Sequence, residues 1–358
     1  MRGPHRRRPA RGAPARVGAP PGRRARLARL SPGRPLGMMP RLPGSLRKVR
    51  HPPRNRPMRR TFALLVAFSL AAPTVTACKL QSRSRVQSIN RMNEGIEFFE
   101  KKNMSAAEKA LKEAIEIDPT HAQAHFVLGQ IYRKQGKLVD AQKEFEAAIQ
   151  HMGEEPNADY AYQLGSVLLE QARGATTQAE REAKYQEALA AFQKALEINP
   201  KHYRALYKIG FIHEKLDQPR KADEAYRKVI ELRPDFSPAF VDLGNMYIDY
   251  GFANVAMAVL DAGAKVNPKD ARMWNGLGRA YLSLNKPKEA VEAFEKAKAI
   301  DPDMVDVLFG LGMAYAQLRK RTEAIEALNA FLQKAGADVP EDKKKAANDT
   351  MARMQDVI

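Results

Sequence analysis

The sequence predicts an all-α solenoid, a stack of antiparallel helix pairs that begins near residue 88 and ends with a capping helix. The first observation behind this prediction is a 34-residue step between prolines, at Pro200, Pro234, Pro268 and Pro302. The second is that an Ile-Gly or Leu-Gly dipeptide keeps the same step, at residues 209–210, 243–244, 277–278 and 311–312. A fixed period of this length indicates supersecondary units that bury their apolar faces only by stacking on one another.

Alignment on this step divides the solenoid into seven repeats, at residues 88–121, 122–157, 158–202, 203–236, 237–270, 271–304 and 305–336. Position 8 of every repeat is then glycine: Gly95, Gly129, Gly165, Gly210, Gly244, Gly278 and Gly312. Position 20 of every repeat is alanine: Ala107, Ala141, Ala188, Ala222, Ala256, Ala290 and Ala324. We expect the first helix of each hairpin (helix A) to cross the second (helix B) at these small residues, because a larger side chain there would cost ~1–3 kcal/mol of overpacking.

Residues 271–304 carry the most complete form of the repeat. The order W-x2-L-G-x2-Y, A-x3-F and P is formed by Trp274, Leu277, Gly278, Tyr281, Ala290, Phe294 and Pro302. This block resembles the tetratricopeptide repeat (TPR). The resemblance implies a right-handed superhelix of about seven helical hairpins, a non-enzymatic role in binding other proteins, and a concave groove lined by helix A positions 2, 5, 9, 12 and 13.

Several repeats depart locally from the pattern, among them repeats three and seven. Repeat three has about eleven additional residues between Leu168 and Ala188, which predict a longer hairpin with a turn near Gly174 and a capping box at Thr177–Glu180. Repeat seven has Phe331 and Gly336 in place of alanine and proline. Residues 337–358 are predicted to form a capping helix, because their apolar residues have helical spacing: Ala346, Ala347, Met351, Met354 and Val357.

The first 57 residues differ in composition from the rest, with 17 Lys or Arg, 12 of the 23 prolines and no acidic residue. One interpretation is a disordered basic arm that binds nucleic acid or an anionic membrane. The other is sequence translated upstream of the true start. The following residues favour the second interpretation, because a complete signal peptide begins at Met58.

Residues 58–77 have the three-part layout of a secretory signal, with Arg59 and Arg60 followed by an apolar stretch at 61–72. This stretch is too short for a membrane span, which needs ~20 apolar residues. Residues 75–78 resemble the bacterial lipobox, which implies that Cys78, the only cysteine of the chain, is lipidated and becomes the first mature residue. Residues 78–87 would then hold the anchor and a short linker. Signal peptidase cleavage after Ala77, leaving a free thiol, is the alternative.

The net charge of +19 comes entirely from the residues before Cys78, which hold 19 Lys or Arg and no acid. From Cys78 onward, 41 basic residues balance 41 acidic residues. A mature chain that starts at Cys78 is therefore neutral. We expect no nucleic-acid partner, because such binding needs clustered contacts to phosphates.

No nucleophile motif, phosphate loop or metalloprotease motif is present, so we expect neither enzymatic activity nor a cofactor. His121 and His125 are four residues apart, but no nearby cysteine or paired carboxylate completes a metal site, so no metal is expected. His213 is expected to pack in the core. Gly310-Leu311-Gly312 matches part of a dinucleotide loop but lacks the preceding strand.

The TPR resemblance places candidate partner-binding residues at positions 5 and 9 of helix A: Phe126, Tyr162, Tyr207, Phe211, Asn245, Arg279, Phe309 and Met313. Aromatic residues are common at position 5 in the family, so generic packing is the alternative there. We expect Tyr207 and Phe211 to stack on one face, with Lys215 at the edge, as an anchor for a peptide or helix. Chaperone tails are not expected to bind, because Val241 replaces the lysine of the clamp that grips them.

Together these features predict an exported, lipid-anchored interaction scaffold of the bacterial envelope, placed on the outer membrane and facing the periplasm. Its layout is similar to that of TPR pilot lipoproteins that assist assembly of pili or secretion pores. Its partners would be proteins of an envelope complex, and the lipid on Cys78 would be its contact with the membrane. Two alternatives remain. One is a soluble periplasmic adaptor for envelope enzymes; the other is a cytoplasmic adaptor with a basic arm, which needs initiation at Met1 and an uncleaved segment 61–77.

Overall fold

The computed structural model of the chain describes residues 83–153, 156–337 and 339–355. The helices in these ranges are α1 (Arg83–Glu100), α2 (Met104–Ile117), α3 (Ala122–Lys134), α4 (Leu138–Gln150), α5 (Ala158–Gly174), α6 (Gln178–Ile198), α7 (Tyr203–Lys215), α8 (Pro219–Leu232), α9 (Ser237–Asp249), α10 (Ala253–Val266), α11 (Ala271–Ser283), α12 (Pro287–Ile300), α13 (Val305–Gln317), α14 (Arg321–Lys334) and α15 (Glu341–Gln355). The predicted basic segment (1–57), the signal peptide (58–77) and Cys78 lie outside the described residues.

Consecutive helices pair into seven hairpins, in which odd-numbered helices from α1 to α13 are helix A and even-numbered helices are helix B. Each hairpin packs on the next, so the apolar core runs continuously along the stack. Every helix B contributes one large side chain that is fully buried: Leu111, Phe145, Phe192, Tyr226, Leu260, Phe294 and Leu328. This arrangement confirms the all-α solenoid that the 34-residue step predicts.

The position 8 glycines face these large side chains. A Cβ atom on Gly210 would lie 2.8 Å from Tyr226 Cε1, and one on Gly244 would lie 2.5 Å from Leu260 Cγ. The alanines at position 20 are fully buried in all seven repeats. The helices do cross at these small residues, but the glycine does not face the alanine. It makes room for the bulky side chain on helix B that lies four positions after the alanine.

Helix α1 begins at Arg83, ahead of the predicted first repeat, so residues 83–87 are helical rather than part of a linker. The extension is held by the turn before α3, where Arg85 pairs with Asp118. Burial opposes ionisation of Asp118, yet hydrogen bonds from Arg85 and Thr120 lower its pKa to about 2. Ser88 is fully buried and donates to the carbonyl of Ala114 at 2.8 Å. The other six A helices begin at position 1 of their repeats.

Repeat three contains the longer hairpin predicted for it, since α5 has 17 residues and α6 has 21. The turn follows Gly174, as expected, and Thr177 caps α6 by accepting a hydrogen bond from the amide of Glu180 at 3.1 Å. The reciprocal half of the capping box differs from the prediction. The Glu180 carboxylate accepts from the amide of Thr176 at 3.2 Å, one residue earlier than the box requires.

Helix α15 closes the C-terminal end of the solenoid. Ala347 is fully buried in a cluster with Leu308, Leu328 and Phe331, and Met351 packs against the same cluster. Phe331 occupies a position where most repeats have alanine, and it fills the space between α13, α14 and α15. Val357 of the predicted capping segment lies outside the described residues.

Within residues 83–153, 156–337 and 339–355, no helix is both long enough and apolar enough to cross a membrane.

Candidate functional site

Neighbouring A helices form one surface of the solenoid, here called the inner face, and polar side chains bridge it from repeat to repeat. Arg133 of α3 donates from Nε to Glu170 of α5 at 2.9 Å and from Nη1 to Gln163 at 2.6 Å. Arg279 of α11 donates to Asn245 of α9 at 2.7 Å. The predicted groove residues Asn245 and Arg279 are thus brought together, and much of their hydrogen-bonding capacity is used within the protein.

The aromatic residues predicted at position 5 are half-buried at the interfaces between repeats. The Phe126 ring lies 4.6 Å from that of Tyr160 in the next repeat, measured between centroids. Tyr162 lies 5.7 Å from Phe192 of its own helix B and 5.0 Å from His202. These rings therefore pack against their own repeat as well as against the next one, as the packing alternative for position 5 proposed.

Tyr207 and Phe211 do not stack on each other as expected. Tyr207 places its ring 5.2 Å from Phe236, toward repeat five, and donates its hydroxyl to Asp242 at 2.5 Å. Phe211 instead packs on the apolar cluster formed by repeats three and four. Side chains four residues apart diverge here because each leans into a different inter-repeat space. Lys215 lies at the edge of Phe211 as predicted, with Nζ 5.0 Å from the ring centroid.

Phe309 and Met313 of repeat seven lie under the capping helix. The Phe309 ring is 5.1 Å from Phe331, and Lys343 Nζ is 5.4 Å from the Phe309 centroid. Thr350 Oγ1 lies 3.7 Å from Met313 Sδ. Helix α15 thus takes the place of an eighth helix A and contacts both residues, so part of the surface predicted for a partner faces the capping helix, and their role in binding stays a prediction.

Two charged residues at position 6 of helix A were absent from the predicted site. Lys208 and Asp242 are half-buried on the inner face of repeats four and five. Burial raises the pKa of Asp242, although the hydroxyl of Tyr207 and nearby cations oppose this. Burial lowers the pKa of Lys208, and the positive charges of Arg173 and Arg133 add to this effect. The 34-residue register could have revealed them, because position 6 changes from polar to glycine between repeats five and six.

A cleft of about 470 Å³ opens on the inner face of repeats one to three. It is lined by Phe99, Gln130, Arg133, Lys134, Gln163 and Glu170. Lys134 stands against the aromatic wall of this cleft, with Nζ 4.3 Å from the Phe99 ring centroid. The cleft therefore combines an apolar wall with polar side chains that can hold a peptide backbone or a charged group.

Asn275 has a buried side-chain oxygen, Oδ1, with no hydrogen-bond donor among the described residues. It occupies position 5 of repeat six, where four other repeats have an aromatic ring. An unsatisfied buried acceptor costs about 1–3 kcal/mol. The unsatisfied oxygen of Asn275 is therefore expected to lower the stability of repeat six.

His121 and His125 form a polar cluster between repeats one and two. His121 Nδ1 lies 2.6 Å from Ser88 Oγ, and burial lowers the pKa of His121. His125 Nδ1 lies 2.7 Å from Glu144 Oε2, and its ring stacks on His151 at 5.9 Å. Burial opposes protonation of His125, but the hydrogen bonds to Glu144 and to a backbone carbonyl raise its pKa.

His121 and His125 thus form their hydrogen bonds with other residues of the solenoid. The residues that the structure describes contain no group of three His, Cys, Asp or Glu side chains arranged to hold a metal ion. His213 is half-buried rather than part of the core, because its Nδ1 reaches the side-chain oxygen of Gln218 at 3.0 Å near the surface.

The helical hairpins and the inner face define a helical-repeat protein of the kind that binds other proteins or peptides. Tetratricopeptide repeat family models match residues 98–174, 179–202, 203–236, 271–304 and 306–336, which together make up more than half of the chain. The chain belongs to the tetratricopeptide repeat family. Residues 237–270 fall between these matches, yet α9 and α10 form a hairpin there like the others.

Curated relatives share the repeats but differ in role. Anaphase-promoting complex subunit 3 of Schizosaccharomyces pombe is 26% identical over 44% of this chain and 22% of its own length. Type IV pilus assembly protein PilF of Pseudomonas aeruginosa is 28% identical over 38% of this chain and 50% of its own length. The matched regions thus span half or less of these relatives. Because the relatives carry different names, the similarity reflects the repeat that they share.

Among solved structures, a tetratricopeptide repeat protein from Parabacteroides merdae superposes with a TM-score of 0.53 at 18% identity, covering 76% of this chain and all of the other. At this level of identity the likeness concerns the fold alone. It agrees with the stack of hairpins described above.

Proposed function

We propose that this protein is a non-enzymatic scaffold of the bacterial envelope that binds a peptide or helix of a partner protein on its inner face and assists assembly of a pilus, secretion or other envelope complex. The observation that carries the binding proposal is the inner face of repeats one to four. There a cleft of about 470 Å³ lies beside half-buried aromatic side chains and lysines. Similarity to a type IV pilus assembly protein supports the choice of the envelope.

The proposed location rests on residues 58–78, which lie outside the described residues. Their layout supports initiation at Met58, export, cleavage before Cys78 and lipidation of that cysteine. A single acyl chain gives only marginal membrane binding, whereas two or more give stable anchoring. In this proposal the mature scaffold is held at the outer membrane and faces the periplasm.

Membrane fractionation of wild type and Cys78→Ala tests the anchor. The wild-type protein should sediment with membranes, and the variant should be released with unchanged helical content. Mass spectrometry should find an acylated Cys78 at the mature N-terminus. An unmodified Cys78 at the N-terminus would contradict lipidation and leave export standing, whereas an intact segment 61–77 would contradict export itself.

A further inference from the structure

We propose that the inner face of repeats one to four selects acidic, amphipathic peptides, in which carboxylates alternate with apolar side chains. This inference rests on the proposed binding role of the inner face and goes beyond it by stating the chemistry of the partner. Three lysines carry this inference, through their positions on the face and through the presence or absence of a carboxylate close to each one.

Each of three inner-face lysines stands against an aromatic ring. Lys134 Nζ lies 4.3 Å from the Phe99 centroid, Lys208 Nζ lies 5.4 Å from that of Tyr207, and Lys215 Nζ lies 5.0 Å from that of Phe211. A cation and an apolar surface are thus presented side by side at successive points along the face. A ligand matches both features when acidic and apolar residues follow each other along its chain.

Two of these lysines have no carboxylate within 4 Å among the described residues, namely Lys134 and Lys208. Lys215, by contrast, lies 3.6 Å from Glu214. Other cations of the inner face are paired as well, for example Arg133 with Glu170. Among the described residues of this face, Lys134 and Lys208 therefore hold positive charge without an ion-pair partner, and the charge of Arg173 adds to it near Lys208.

Lys208 has the stronger need for an anion. It is half-buried, so it loses part of its hydration, and the carboxylate of Asp242, which acts on it from the next repeat, accepts the hydroxyl of Tyr207. Burial and the charges of Arg173 and Arg133 lower its pKa, and the carboxylates of Asp242 and Glu170 oppose this in part. A ligand carboxylate placed here would restore the solvation of the half-buried ammonium.

Fluorescence anisotropy with a synthetic peptide tests the inference. The probe is a fluorescein-labelled peptide in which glutamates alternate with phenylalanines between glycine-serine ends, and matched peptides carry glutamine or lysine in place of glutamate. The glutamate peptide should bind the wild-type chain at least about tenfold more tightly than the glutamine peptide in low salt, and the lysine peptide should bind more weakly than both.

Lys208→Gln should weaken binding of the glutamate peptide about tenfold and leave the glutamine peptide unchanged, and Lys134→Gln should act in the same direction. Lys194→Gln, at an exposed position of α6, is the matched control and should change neither affinity. Thermal melts of all three variants establish that they remain folded.

Equal binding of the glutamate and glutamine peptides would overturn the inference, as would equal losses for both peptides in Lys208→Gln. Absence of glutamate-peptide binding below 1 mM would also overturn it. The proposed binding role has a separate test, in-cell cross-linking from the inner face. Partner adducts there without acidic selectivity would preserve that role while removing this inference.

Discussion

Phe294 of α12 fills the space left by Gly278 of α11, and a Cβ atom on Gly278 would lie 2.5 Å from Phe294 Cε1. The same ring is approached from the next repeat, because a Cβ atom on Gly310 would lie 2.4 Å from its Cζ. One large side chain thus joins two A helices through two glycines. The contact within the hairpin recurs from repeat to repeat with different bulky residues, and the contact with a second glycine recurs at Leu260, which faces Gly276 of the next repeat.

Gly278→Ala should lower the free energy of unfolding by about 1–3 kcal/mol, because the added methyl group must displace the buried Phe294 ring. Urea denaturation measures the change. Gly174→Ala is the control, since Gly174 lies at the end of α5 with no other group within 4 Å of the added Cβ. It should be neutral or slightly stabilising. Equal stability of both variants would show that the glycine contact is dispensable.

Asn275→Leu should raise the free energy of unfolding by about 1–2 kcal/mol, because it replaces a buried acceptor that lacks a donor with an apolar side chain. Asn245→Leu should act in the opposite direction, since Asn245 accepts a hydrogen bond from Arg279. Differential scanning calorimetry compares the two. A fall in Tm for Asn275→Leu would mean that the Asn275 amide stabilises the folded state after all.

The stability contributed by His125 should depend on pH. Because its pKa is raised above the usual 6.5 in the folded state, this contribution is complete below pH 6.5 and is lost as the pH rises through the higher folded value. The Tm difference between wild type and His125→Gln should therefore be larger at pH 5.5 than at pH 8, and at pH 5.5 it should correspond to about 1–2 kcal/mol in the free energy of unfolding. His121, whose pKa is lowered chiefly by burial, has the opposite dependence and is present in both proteins, and the charge of His125 contributes to that lowering.

Glu144→Gln is the matched test of the cause, because the Glu144 carboxylate is the charged partner of His125. This variant should remove most of the pH dependence while keeping the size of the side chain. A Tm difference between wild type and His125→Gln that is constant from pH 5.5 to pH 8 would contradict the assignment.

Phe211→Ala should weaken capture of the partner by about thirtyfold, since truncation of a desolvated aromatic anchor typically costs about 2 kcal/mol or more. Ala222→Leu is the contrasting variant. Ala222 is fully buried, so overpacking there should lower the melting temperature and binding together. Phe211 also packs on a core cluster, so affinity is measured per folded molecule. If the folded fraction of Phe211→Ala binds normally, Phe211 serves packing alone.

The fold could be predicted from the sequence because each repeat forms the same contact between a glycine of helix A and a bulky residue of helix B, as Gly210 and Tyr226 illustrate. The N-terminal extension of α1 could not, because it depends on a pair between Arg85, which precedes the first repeat, and Asp118, which lies near the end of that repeat. The divergence of Tyr207 and Phe211 escaped prediction for a related reason. Helical spacing fixes which face two residues share, but the neighbouring repeats decide which way each ring leans.

Charges on the inner face were the least predictable part of the site. Asn245 and Arg279 were recognised as groove residues, but their mutual hydrogen bond depends on the stagger of α9 and α11. Position 6 of the register could have drawn attention to Lys208, but its lack of an ion-pair partner among the described residues depends on how the repeats are assembled.

The most direct test of the central claim, that the inner face binds the partner, is photo-cross-linking in cells. A benzophenone amino acid is placed at Gln130, in the inner-face cleft, and in a separate strain at Lys143, which is exposed on helix B of the same repeat. Irradiation should link a partner protein through Gln130 and not through Lys143, and mass spectrometry should identify the cross-linked peptide. Adducts that form through Lys143 while Gln130 yields none would contradict it.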